Sequence, residues 1–314
     1  MKQRSPRYVV LAGGVGAARL LRGLVRAVDP HDVTAIVNVA DDIVLHGLHI
    51  SPDLDTITYT LAGVDNTETG WGLQGETWQA MEMLGRYGGI DWFNLGDRDL
   101  GTHMFRTQRL NEGATLAEVT REVTLAWGIA VTVVPVTNDA LETRVTVVDD
   151  GEIGFQEYFV GRSHDVGVTG VRFVGAQSCT PAPGILEAIA TAEVVMVAPS
   201  NPIVSIAPLL AVPGVRESLI ARRDQVVAVS PIVAGKALRG PADRLMSDLG
   251  TEPSVVGVAD MYAEFVGTLV IDTADAHQRA SVEATGLRCV VTDTIMSDPD
   301  VAAELCRTML GETR

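Results

Sequence analysis

Tyr8-Val9-Val10-Leu11-Ala12-Gly13-Gly14-Val15-Gly16 is the stretch that decides the fold. The run from Tyr8 to Ala12 reads as a strand covered on both faces, and the glycines after it turn the chain sharply. Residues 17–28 carry apolar side chains at helical spacing, and Thr34-Ala35-Ile36-Val37-Asn38-Val39 is a second strand-like run. Strand, tight turn, helix, strand makes a βαβ unit, which belongs to a parallel sheet. Short apolar runs return at 131–134, 194–197, 225–229, 268–271 and 288–291. The expected fold class is therefore α/β, a Rossmann-like and mostly parallel sheet with helices on both faces.

Two segments interrupt that pattern. Residues 51–128 are rich in Gly, Trp, Asp and Thr and hold helical stretches at 76–87 and 116–126, which reads as a largely helical cap. Residues 144–160 alternate polar and apolar side chains in Thr143-Arg144-Val145-Thr146-Val147 and again in Phe155-Gln156-Glu157-Tyr158-Phe159, as an antiparallel hairpin does. No repeat or linker divides the chain, so residues 1–314 are expected to form a single Rossmann-like domain with the cap inserted around 51–128.

The 314 residues are 46% hydrophobic and 20% charged, enough to bury a large core. No run approaches the roughly 20 apolar residues of a membrane helix. Residues 1–7 are basic but lead straight into the first strand with no small-residue cleavage site after it, so a cytoplasmic location is expected. Against 24 basic residues stand 40 acidic ones, a net charge of −16 that opposes binding to nucleic acid or anionic membranes. An anionic small ligand must find local help from backbone amides, a few arginines or a metal. Cys179, Cys289 and Cys306 lack metal-ligand spacing and read as reduced thiols.

Glycines after a buried strand let the backbone approach a phosphate closely, which makes Gly13, Gly14 and Gly16 candidates for nucleotide binding. The dinucleotide fingerprint is incomplete, with Arg19 at the position of its third glycine, and no Lys-Ser/Thr pair completes a P-loop. A turn that serves packing alone is the alternative. Asn38-Val39-Ala40-Asp41-Asp42 closes the second strand beside that turn, and Asp53 and Asp55 follow, giving four aspartates within fifteen residues. Magnesium needs few carboxylates when phosphate and water complete its shell, and Asp42 and Asp55 are the favoured pair. Two other readings stay open: Asp53 caps a helix that begins near Leu54, or Asp41 or Asp42 holds a ribose hydroxyl about 25 residues after the glycines, as in a nicotinamide-dependent oxidoreductase. Trp92-Phe93-Asn94-Leu95-Gly96-Asp97-Arg98-Asp99-Leu100-Gly101-Thr102-His103-Met104-Phe105-Arg106-Thr107 reads as a loop, able either to bind a polar ligand or to pair its charges internally.

Jointly these segments carry a resemblance. Leu11 to Gly16 with Ala18-Arg19, Asn38 to Asp42, His46-Gly47-Leu48 through Ser51-Pro52-Asp53-Leu54-Asp55-Thr56, Trp71-Gly72, Leu95 to Leu100, His103 and Arg106-Thr107 belong to it. So do Phe155-Gln156-Glu157-Tyr158, Ala198-Pro199-Ser200-Asn201-Pro202, Val229-Ser230-Pro231-Ile232-Val233 and Asp293-Thr294-Ile295-Met296. Over nearly its whole length the chain resembles the 2-phospho-L-lactate transferase family, which makes the deazaflavin coenzyme F-420. It departs from the family at Ala17 and Ala234, where glycines are usual, and at Asn138-Asp139, where an acidic pair is usual.

The resemblance implies a phosphotransferase that joins the primary hydroxyl of the deazaflavin Fo to the phospholactyl or phosphoenolpyruvyl group of a guanosine-diphosphate-activated donor, releasing GMP. It implies Mg2+ as cofactor and a homodimer. Gly13, Gly14, Gly16 and Ala17, Ser200-Asn201-Pro202 and Ser230-Pro231-Ile232 are then expected against the donor nucleotide, at strand C-termini. Asp41 or Asp53 is the expected base, and Arg98 and Arg106 are candidates for the donor's charged groups. His46, Tyr59, Trp71, Asp97, His103 and Arg106 are expected on the acceptor side, with Trp78 more plausibly a packing residue. A nucleotide-sugar-binding regulatory protein with the same turn but no turnover is the non-enzymatic alternative.

Overall fold

Seven short strands build the central sheet: β1 (Tyr8–Ala12), β2 (Val33–Val37), β3 (Thr132–Pro135), β4 (Val194–Val197), β5 (Val226–Val229), β6 (Thr268–Asp272) and β7 (Arg288–Thr292). The computed structural model describes residues 6–311. The strands lie in the order β7-β6-β5-β4-β1-β2-β3 and every neighbouring pair is parallel. This is the doubly wound arrangement: from β1 the chain moves one way across the sheet through β3, then returns past β1 and moves the other way. Right-handed crossovers then place helices on both faces. β1, β2, β4, β5 and β6 are buried along their whole length, which is why they read as unbroken apolar runs. Among the described residues no helix is long and apolar enough to cross a membrane.

The segment between β2 and β3 holds a small hairpin (Ile43–Leu45 with Leu48–Ile50) and four helices: α2 (Pro52–Ala62), α3 (Gln79–Arg86), α4 (Asp99–Asn111) and α5 (Leu116–Ala126). The α5 helix opens on a capping box, Thr115 with Glu118. The reading of 92–107 as a loop is corrected, since from Asp99 onward it is helix. The side chain of Glu76 accepts from the backbone N–H groups of Arg98 and Asp99 and so satisfies the start of α4.

The antiparallel hairpin expected over 144–160 is present but ends at Gly154. Glu142–Val147 pairs with Gly151–Gly154, and a third antiparallel strand, Val168–Val174, joins on its other side. Phe155 to Gly161 is instead a tight helical turn, which buries Phe155 and Tyr158 three residues apart on one side. The three cysteines are unpaired and buried.

Ile232–Val233 and Lys236–Ala237 form a two-residue hairpin whose turn residues, Ala234 and Gly235, both have positive φ, 49° and 78°. That turn suits glycine at both positions. Ala234 is exposed, so its methyl contributes little packing. Ala234→Gly is expected to relieve about 1–2 kcal/mol of left-handed strain, offset by about 0.4–1 kcal/mol of chain entropy. The expected result is a rise of about 1–3 °C in the calorimetric unfolding midpoint; a fall would show that the turn carries no strain.

Candidate active site

The strand order reverses between β1 and β4, and a cavity of about 550 Å³ opens at their carboxyl ends. The turn after β1, the start of α2, the segment after β4 and the aromatic edge of the cap supply its walls.

The helix α1 (Gly14–Ala27) begins immediately after Gly13. Gly14 takes φ +70°, a conformation that favours glycine, and its N–H donates to Asp53 Oδ1 at 2.8 Å. The first amide of the turn is thus already engaged by a carboxylate, which sets this site apart from a dinucleotide pyrophosphate cradle. Ser200 Oγ donates to the Gly13 carbonyl at 2.7 Å and ties the segment after β4 to the same turn. Gly16 serves packing: a Cβ there would lie 2.4 Å from the Pro199 carbonyl oxygen. Gly16→Ala is expected to push α1 away from Pro199 and cost about 1–3 kcal/mol; an unchanged denaturation midpoint would contradict this contact. Ala17 is buried inside α1, off the cavity wall, with no positive φ.

Asn38 organises the acidic strand end. Its Nδ2 donates to Asp41 Oδ2 at 3.1 Å and to Asp53 Oδ2 at 3.0 Å, bridging two carboxylates that both line the cavity. Asp41 and Asp53 are buried, and among the described residues Asp41 Oδ1 accepts no hydrogen bond. Burial pushes Asp53 up to about 6, against the opposing hydrogen bonds from Asn38 and Gly14. Burial, and next the nearby Asp53, hold Asp41 well above the ordinary carboxylate range. The Asp53 side chain does not cap α2. It crosses to the glycine turn.

The pair expected to hold a metal, Asp42 and Asp55, is split. Asp42 is off the cavity wall and accepts from Ser51 Oγ at 2.5 Å, and burial raises its carboxyl too. Asp55 lines the cavity but both its oxygens accept from Arg106, whose Nη1 lies 3.1 Å from Oδ2. Arg106 Nη1 is 3.2 Å from His103 Nδ1, and His103 Nε2 is 3.4 Å from Asp99 Oδ2. Tyr59 OH donates to Asp99 Oδ1 at 2.5 Å. Asp55, Arg106, His103, Asp99 and Tyr59 therefore form one buried network, of which all but Arg106 reach the cavity wall. Burial works against Asp99, but His103, Tyr59 and Arg106 outweigh it and hold its carboxyl below the usual range. Asp55, Asp99 and His103 present ligand atoms within 4.8 Å of one another, yet both oxygens of Asp55 are already taken by the Arg106 guanidinium.

Other expected site residues lie elsewhere. Asp97 accepts from Thr77 Oγ1, Gln79 N and Ala80 N, so it holds the start of α3 and does not reach the cavity. Arg98 is exposed and donates to the Gln74 carbonyl at 2.8 Å, outside the cavity. His46 is exposed at the tip of the small hairpin, with φ 53°. Ser230-Pro231-Ile232 follows β5 as a turn closed by Ser230 Oγ on the Ile232 backbone, off the cavity wall, as is Pro202. Ser200, Asn201, Tyr59, Trp71 and His103 do line it. Asn201 Oδ1 accepts from Ile203 N while its Nδ2 is buried without a partner.

Trp92, Phe93, Phe155, Phe159, Asp99 and Arg239 also line the cavity. The aromatic four were missed because nothing in local spacing separates a wall aromatic from a core aromatic. Phe155 and Phe159 stack 5.5 Å apart. Arg239 sits among Ala237, Leu238, Gly240 and Pro241 with no motif around it, and Asp99 reads with Asp97 and Arg98 as loop although it begins α4.

Comparison with known proteins places this architecture. The family model described as 2-phospho-L-lactate transferase CofD matches residues 8–310. A phosphoenolpyruvate transferase of Kitasatospora aureofaciens is 44% identical over 311 residues, covering 97% of each chain. One from Streptomyces avermitilis is 46% identical with the same coverage, and one from Mycolicibacterium smegmatis is 39% identical over 96% of this chain and 97% of its own. The crystal structure of a UPF0052 family protein from Bacillus halodurans superposes with a TM-score of 0.60 at 16% identity, over 98% of this chain and 99% of the other, a likeness of fold. The doubly wound sheet, the switch-point cavity and a match over nearly the whole length agree: the chain belongs to the 2-phospho-L-lactate transferase CofD family and is a transferase.

Proposed function

We propose that the chain transfers the phosphoenolpyruvyl group of a guanosine-diphosphate-activated donor to the primary hydroxyl of the deazaflavin Fo, releasing GMP. Family membership supports transfer of a phospholactyl or phosphoenolpyruvyl group in coenzyme F-420 biosynthesis. The names carried by relatives at 39–46% identity favour the phosphoenolpyruvyl donor. One observation carries the reading: the glycine turn, the Asp41/Asp53 pair and an aromatic wall meet in a single cavity at the switch point.

Asp41 and Asp53 fit a divalent cation better than Asp42 and Asp55. They are two buried carboxylates sharing one amide donor, and among the described residues Asp41 Oδ1 accepts no hydrogen bond and no guanidinium is paired with either. Oxygen donors facing a space where phosphate and water complete the shell suit Mg2+. Magnesium there supplies charge neutralisation on the diphosphate oxygens. Asn38 fixes the spacing of the two carboxylates, and the Asn201 Nδ2 offers a donor to an anionic oxygen. Trp71, Trp92, Phe93, Phe155 and Phe159 give a flat tricycle an apolar wall. The acceptor oxygen forms its bond to the phosphorus that carries the enolpyruvyl ester. The bond from that phosphorus to the bridging oxygen breaks, its electron pair leaves with GMP, and the hydroxyl proton passes to a cavity carboxylate or water.

The test offers purified protein Fo, Mg2+ and either donor at equal concentration and follows product by mass. Faster formation of the dehydro phosphodiester from the phosphoenolpyruvyl donor supports the proposal. A preference for the phospholactyl donor refutes the donor assignment, and no product from either refutes the reaction.

A further inference from the structure

Arg239 lies on the cavity wall, is exposed, and spends one Nη1 on the Thr69 carbonyl at 3.0 Å. The loop it holds closes on the glycine turn: a Cβ on Gly70 would lie 2.3 Å from that Nη1 and 3.3 Å from Val15 Cγ1. Val15, in the first turn of α1, is itself on the wall. One helical turn further along the same face comes Arg19. Arg19 is partly buried and, among the described residues, has no hydrogen bond or ion pair. Asp65, the carboxylate that acts on Arg19, is taken by Arg22 at 2.5 Å.

Arg239 stands on the cavity wall, and Arg19, behind it, lies within electrostatic reach of Arg239, Arg22 and Asp65, so three guanidiniums share one carboxylate in a chain whose net charge is −16. Burial first, then Arg239 and Arg22, push the Arg19 guanidinium below its ordinary range, so the charge is held at a cost to the fold. Most arginines elsewhere on this surface have a carboxylate within reach, as at Arg216 with Glu264 and Arg162 with Glu157. Among the described residues no carboxylate pairs with Arg19 or Arg239, and one of the two is on the wall of the cavity, so the pair is left open to an anion from outside the chain.

We propose that Arg19 and Arg239 form an anion clamp at the cavity mouth that takes the nucleotide phosphates of the donor and holds them as GMP departs. The clamp rests on the transferase reading for the identity of the nucleotide but not for the anion itself. Planar guanidiniums take phosphate oxygens in pairs, and the leaving monophosphate gains charge as its bridging bond breaks. Two arginines at the mouth also give a polyanion an entry that the rest of the surface denies it.

The experiment titrates GDP and inorganic pyrophosphate into wild-type protein, Arg19→Gln, Arg239→Gln and the double variant by calorimetry, with guanosine as the uncharged control. Expected is a loss of tenfold or more in GDP and pyrophosphate affinity for each single variant, no change for guanosine, and partial recovery in Arg19→Lys. Because Arg19→Gln removes like-charge repulsion, its unfolding midpoint without ligand should equal or exceed that of wild type. Unchanged GDP and pyrophosphate affinity in the double variant overturns the clamp, as does a wild-type protein that binds neither. A lower midpoint with affinity retained overturns it as well, by assigning Arg19 to the fold. If pyrophosphate affinity falls as expected but no donor is turned over, the clamp stands and the transferase reading fails.

Discussion

Asp53→Asn is expected to reduce the transfer rate by about 10²–10³-fold while leaving the fold intact, read from initial rates at saturating donor and Fo. Asparagine has the same size, and its Oδ1 can still accept the Gly14 N–H that Asp53 accepts now at 2.8 Å. What disappears is a buried carboxylate charge facing the cavity, together with the Oδ2 that accepts from Asn38 Nδ2. Burial already opposes that charge, which is why the carboxyl sits at about 6, so its removal should leave the unfolding midpoint unchanged or raised. Loss of rate without loss of stability is the mark of a group retained for chemistry. A variant that keeps wild-type rate across a magnesium titration would remove Asp53 from the reaction.

Arg106→Met should do the opposite and strike the fold first. Arg106 and Asp55 are both buried, at 3% and 5% exposure, and the guanidinium contacts both carboxylate oxygens. Removing it leaves an uncompensated charge beside His103 and Asp99, at a cost of about 3–5 kcal/mol in urea denaturation. The double variant Asp55→Asn with Arg106→Met should recover much of this, because the orphaned charge goes with its partner. No recovery would mean that the aliphatic stem of Arg106, and not its charge, is what the core uses.

How far the sequence reveals the molecule follows from where polar residues sit. The strands of the central sheet are buried on both faces, so Tyr8–Ala12, Val194–Val197 and Thr268–Asp272 stand out as apolar runs without any knowledge of their neighbours. The α2 helix is hard to read for the converse reason. Asp53, Asp55, Thr56, Thr58, Tyr59 and Thr60 are all buried, so the helix shows no polar outer face to give its period away. The α4 helix hides in the same way, with Asp99, His103 and Arg106 turned inward. Both failures occur where the cavity and its supporting network lie, and local rules are broken most at such places. The Val168–Val174 strand escaped because most of it is only half-buried and its alternation is weak.

The acidic cluster shows the limit of spacing arguments. Asp41, Asp42, Asp53 and Asp55 are equivalent by composition, and only their partners distinguish them. Ser51 takes Asp42, Arg106 takes Asp55, and Asn38 joins Asp41 to Asp53 across the cavity wall. Likewise Asp97 and Asp99 are two residues apart, yet one holds the start of α3 and the other lines the cavity. Ala234, a departure from the family's usual glycine, turns out to sit at positive φ, a fact that composition alone does not show.

The most direct test of the account follows which phosphorus is attacked. Fo carrying 18O in its primary hydroxyl is incubated with the phosphoenolpyruvyl guanosine diphosphate donor, Mg2+ and the purified protein, and both products are weighed by mass spectrometry. Attack at the enolpyruvyl phosphorus retains the label in the deazaflavin phosphodiester and releases unlabelled GMP in equal amount. Label recovered in a guanylylated deazaflavin, or no deazaflavin phosphodiester at all, would contradict the account.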